Sequence, residues 1–101
     1  MSGPTDSLNE DLKAACSEVL GEAFTKVIFR YISGIYSGRL YKGDDPYESY
    51  VDAFTEGMKA FLGGSWETAE SQVLSVVSER KGVRVKTVRE LSELYRKTDG
   101  G

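Results

Sequence analysis

Glu22 to Tyr36 reads EAFTKVIFRYISGIY, and its reading decides the fold. Phe24, Val27, Ile28, Tyr31, Ile32, Ile35 and Tyr36 recur at helical spacing. At ~100° per residue, Ala23 and Phe29 widen the apolar arc to roughly 200°. Lys26, Arg30 and Ser33 form the polar side. A stripe this wide must be covered from more than one direction. The stretch is therefore expected to be the central helix of a small helical domain. Nothing in it is chemical.

Working outward, Ser7 and Glu10 have the spacing of a capping box, which opens a first helix over 7–20. Leu8, Leu12, Ala15, Cys16, Val19 and Leu20 give it an apolar face. Gly21 ends it or bends it into the next helix, and the acidic turn at Glu22 favours a break. The central helix, 22–36, frays through Gly34 or Gly38 into the polar link GRLYKGDD. Asp45-Pro46 starts a third helix, 46–62, with Asp45 as N-cap and Glu48 completing the box. Tyr47, Tyr50, Val51, Phe54, Met58, Phe61 and Leu62 line one face of it. Gly63-Gly64 stops it, and without a following Lys-Ser/Thr the pair is a turn, not a phosphate loop. Ser65 is expected to cap a fourth helix, 66–81, and Trp66 to cover one end of the core. Val83 to Val85 is a short extended piece. Thr87 and Glu90 form a third capping box before a last helix, 88–97. Residues 1–6 and 98–101 read as disordered tails. The expected architecture is one all-α domain over 1–101, a bundle of four to five helices.

Composition narrows the chemistry. The chain has 101 residues, one cysteine and no histidine. Without histidine there is no imidazole metal site, no Ser-His or Cys-His pair, and no imidazole general base. A structural zinc site has no ligand set. We expect no catalytic residue, no metal and no cofactor. No run is long and apolar enough for a membrane span, and MSGPTDS has no basic region followed by an apolar one. The lone Cys16 cannot form an internal disulfide, so a reducing, cytoplasmic setting is expected. On the apolar face of its helix Cys16 reads as a buried, inert thiol. Asp44 next to Asp45, and Glu18 four residues from Glu22, could be paired acids, but a cap at Asp45 and solvated helix faces already explain them. Gly100-Gly101 has the residues of a conjugation tail, but a helical chain lacks the strand-rich fold of such modifiers.

Two groups could contact a partner. Tyr36, Tyr41 and Tyr47 surround the link between helices two and three, and tyrosine suits binding surfaces. The alternative is a half-buried rim. The second group is basic. Residues 1–78 hold six basic and twelve acidic side chains, whereas residues 79–101 hold seven basic and four acidic, for a net charge of −3. Arg80, Lys81, Arg84, Lys86 and Arg89 could meet nucleic acid or an acidic partner. The alternative is a basic edge facing the acidic helices of its own domain.

Leu20-Gly21-Glu22 before a Phe/Ile/Tyr-rich helix resembles the opening of a group of small archaeal signal-transduction domains, the Nitrosopumilus output domain group. Asp45-Pro46, Tyr47 through Phe61 with Phe54 inside, a glycine pair, and an Ala69-to-Val77 helix ending near Gly82 are similar too. The resemblance spans about residues 12–83, with Leu62 standing where the family places glycine directly after phenylalanine. It implies a helical domain in an archaeal regulatory setting and carries over no catalytic residue. The expected function is a non-enzymatic protein-interaction or signalling output domain with a protein partner, or with a second copy as a homodimer. The alternative is a small nucleic-acid-associated protein using residues 80–89.

Overall fold

The computed structural model describes residues 5–43 and 45–100, excepting the side chains of 98–100. Five helices follow in order: α1 (Asp6–Leu20), α2 (Glu22–Tyr41), α3 (Pro46–Leu62), α4 (Trp66–Lys81) and α5 (Val88–Gly100). A 3-10 turn, Gly63–Ser65, joins α3 to α4. The protein is an all-α bundle, with no strand among the described residues.

Helix α1 and helix α3 each pack against α2, α4 and α5, so the core lies between the faces of these two. Leu8, Leu12 and Cys16 of α1 meet Tyr50, Phe54 and Met58 of α3 in one continuous apolar cluster. Trp66 closes an end of it, edge-on to Phe54 at 5.8 Å between ring centres. The central helix is α3, not α2. Eight residues of α3 are buried, against four of the twenty in α2, namely Thr25, Ile28, Phe29 and Ile32. The wide apolar arc of α2 is therefore covered on its α1 and α3 side and left open on the other.

Local chemistry explains most boundaries. Asp45 Oδ1 accepts hydrogen bonds from the backbone N–H of Tyr47 (2.9 Å) and Glu48 (3.2 Å), so α3 starts at Pro46. Thr87 Oγ1 accepts from Glu90 N–H at 3.1 Å and opens α5. Gly21 joins α1 to α2 as a single residue at φ 92°, which only glycine adopts without strain. Gly82 ends α4 in the left-handed region.

Five further expectations change. Helix α1 begins at Asp6 after Thr5, so Ser7 lies inside its first turn instead of capping it. Thr5 is buried and donates its hydroxyl to Tyr36 Oη at 2.7 Å, so it belongs to the fold and not to a tail. Gly34 and Gly38 do not end α2, which runs on to Tyr41, because glycine at ordinary helical φ lowers helix propensity without breaking the hydrogen-bond ladder. Ser65 makes no side-chain cap, since the 3-10 turn feeds directly into α4. Helix α5 continues to Gly100, beyond residue 97. Residues 1–4, Asp44 and Gly101, on which parts of the tail, paired-acid and diglycine expectations fall, lie outside the described residues.

Candidate functional site

The surface feature that emerges is the open side of α2. Its core-facing residues, Ile28, Phe29 and Ile32, leave Phe24, Val27 and Tyr31 on the other side of the same helix. These three are 38, 54 and 46% exposed. Phe61, near the end of α3, joins them at 37%. Its ring stands edge-on to Phe24 at 6.1 Å and to Tyr31 at 5.6 Å, so the three rings form one cluster at the surface. Toward the C-terminus the same side of α2 carries Gly34, Gly38 and Tyr41, all exposed. No charged residue interrupts this stripe, which spans ~27 Å at ~1.5 Å per residue. Lys26 and Arg30 border one edge.

The two glycines are informative. A Cβ at either would meet nothing, so no contact within the fold requires glycine there. Each weakens the helix by about 0.5–1 kcal/mol relative to alanine. Gly57 on α3 differs: a Cβ there would stand 2.5 Å from Ile32 Cγ1, so this glycine lets α2 and α3 touch.

The tyrosines singled out from sequence are not gathered into one exposed patch. Tyr36 is half-buried, bonded to Thr5 and edge-on to Tyr50 at 5.5 Å. Tyr47 is buried, with the Arg96 guanidinium 5.1 Å from its ring centre. Tyr41 stands 94% exposed at the end of α2. Sequence reasoning missed Phe24, Val27, Phe61, Gly34 and Gly38. The available signal was the width of the α2 arc, which one neighbouring helix cannot cover.

The basic segment lies at the surface, and three of its five side chains pair with acids of the same chain. Arg80 pairs with Glu18, and Lys81 Nζ lies 3.1 Å from Asp11. Arg89 reaches Glu48 at 3.5 Å and Asp52 at 3.7 Å. Arg96 adds a bidentate pair with Asp45, both contacts at 2.8 Å. The basic C-terminal stretch thus neutralises acids of α1 and α3, as the self-facing reading anticipates. Arg84 and Lys86 are exposed in the link before α5.

The remaining groups have structural explanations. Asp45 is held below the usual carboxylate range, first by Arg96 and then by the N–H groups it caps. Burial pushes the Cys16 thiol up to about 12, far from the thiolate that redox chemistry needs. Tyr50, also raised by burial, donates to Asn9 Oδ1 at 2.6 Å. Glu22 pairs with Lys26. No three potential metal-ligating side chains converge among the described residues. Among these residues no helix is long and apolar enough to cross a membrane. Comparison with family models, curated proteins and solved structures finds no match.

Proposed function

We propose that the protein is a non-enzymatic protein-interaction domain of the signalling-output kind, acting in the cytoplasm through the open side of α2. The observation that carries this reading is the contiguous cluster of Phe24, Val27, Tyr31 and Phe61, apolar, ring-packed and in solvent. A contiguous apolar patch on a folded surface marks a place where another molecule docks. Its aromatic composition is that of interface anchors. The likeness to archaeal output domains supports a regulatory setting. The basic segment carries a nucleic-acid reading less far, because Arg80, Lys81 and Arg89 already face carboxylates of the same chain.

A photo-crosslinking amino acid placed at Val27, and separately at exposed Gln72 on α4, tests this in extracts of the source cell. Protein adducts at position 27 that are missing at position 72 are expected. No adduct at 27, or the same adducts from both positions, would overturn the reading.

A further inference from the structure

We propose that the open side of α2 is the seam of a homodimer, in which two copies of the helix pack antiparallel around a two-fold axis at Tyr31. This rests on the interaction reading above and names the partner as a second copy of the chain.

The argument is one of register. Phe24, Tyr31 and Gly38 are spaced seven residues apart, as are Val27, Gly34 and Tyr41. Two such rows form a coiled-coil-like seam along one side of a helix. The large residues lie at its N-terminal end and the glycines toward its C-terminal end. Running a second α2 antiparallel through Tyr31 sets Phe24 opposite Gly38 of the second copy. Val27 then falls opposite Gly34 of the second copy, to within one residue. Each ridge meets a notch, and Tyr31 meets itself on the axis. A two-fold interface must be self-complementary in this way. It also explains the glycines, because a Cβ at Gly34 or Gly38 meets nothing inside the monomer but would hold two helices apart.

The area is adequate. With ~200 Å² for a whole aromatic side chain, the exposed fractions of Phe24, Val27, Tyr31, Phe61 and Tyr41 leave roughly 500 Å² per copy. Two faces supply about 1,000 Å², the size at which specific interfaces begin. Lys26 and Arg30 border the stripe, and the two-fold brings this edge against its own copy. Screening by salt is therefore expected to strengthen the dimer, the opposite of what an acidic partner would show.

Sedimentation equilibrium of the purified chain, from about 10 μM to about 1 mM, reads the association directly. The expected result is a reversible shift from 11.1 kDa toward twice that mass. Gly38→Leu favours the helix in the monomer yet fills the notch, so it is expected to weaken the dimer by about tenfold or more while leaving the monomer folded. Gly34→Leu provides a second, independent variant. With dissolved oxygen and a copper catalyst as oxidant, Tyr31→Cys is expected to form a disulfide-linked dimer, and Gln72→Cys is not. A chain that stays monomeric throughout, a dimer indifferent to both glycine variants, or cross-links forming at 72 and not 31, would each overturn the proposal. If the chain is monomeric yet position 27 still yields adducts to another protein, only the second copy is refuted and the interaction surface stands. If it is monomeric and no adduct forms, both readings fall.

Discussion

Three glycines in two neighbouring helices have different work to do, and a single methyl group separates them. At Gly57 an added Cβ meets Ile32 Cγ1, so Gly57→Ala forces α2 and α3 apart. We expect it to lower stability by about 1–3 kcal/mol. At Gly34 and Gly38 the added Cβ meets open space, so Gly34→Ala and Gly38→Ala should each raise monomer stability by about 0.5–1 kcal/mol. Urea melts at low micromolar concentration, where monomer prevails, check all three signs. A loss at Gly34 would show a contact within the chain that its geometry does not contain. None of this was legible in sequence, where the three glycines look alike. Cys16 was legible: its place among Leu12, Ala15 and Val19 already put it on the apolar face, and burial keeps its thiol protonated.

At the scale of elements, chain order gave the starts and tertiary contacts decided their surroundings. Asp45-Pro46 announces α3 because an Asx oxygen and a proline suit the first turn of any helix. That Arg96 of α5 would clamp the same carboxylate could not be read locally, since fifty-one residues separate them. The clamp has a pH signature. The Asp45 carboxyl in the fold titrates below its unfolded value, so the unfolded state binds the proton more readily. Its stabilisation is present above about pH 4 and is lost as pH falls through the folded value. Asp45→Asn keeps a capping oxygen but has no charge. Wild type is expected to be more stable than Asp45→Asn at neutral pH, with the gap closing in thermal melts taken down to about pH 2. A gap constant with pH would show that the charge is irrelevant. Because both side chains are more than a third exposed, solvent screens the pair and the gap should be small.

At the scale of the whole molecule, adjacent residues of α2 lead to opposite outcomes. Ile28 is fully buried and Val27 is more than half exposed. Ile28→Asp places an unpartnered carboxylate in the core and is expected to abolish the cooperative thermal transition. Val27→Glu is expected to shift monomer stability by no more than about 0.5 kcal/mol, since more than half of Val27 already faces solvent. Both follow by circular dichroism, and matching effects would show that the two sides of α2 are misassigned. The charge distribution is likewise a property of the whole. An acidic first part and a basic last part look like a nucleic-acid signature along the chain. In the fold, Arg80, Lys81, Arg89 and Arg96 close onto Glu18, Asp11, Glu48 and Asp45.

By itself, the sequence determined the helical class, a bundle of four to five helices, the break at Gly21 and the bounds of α3 and α4. Those depend on periodicity, caps and glycine conformation, which act within a few residues. It also determined that α2 carries more apolar surface than one neighbour can cover. Only the tertiary structure decided which helix that surplus leaves uncovered. Burial depends on which elements arrive from far along the chain, and here they converge on α1 and α3, leaving Phe24, Val27 and Tyr31 partly exposed.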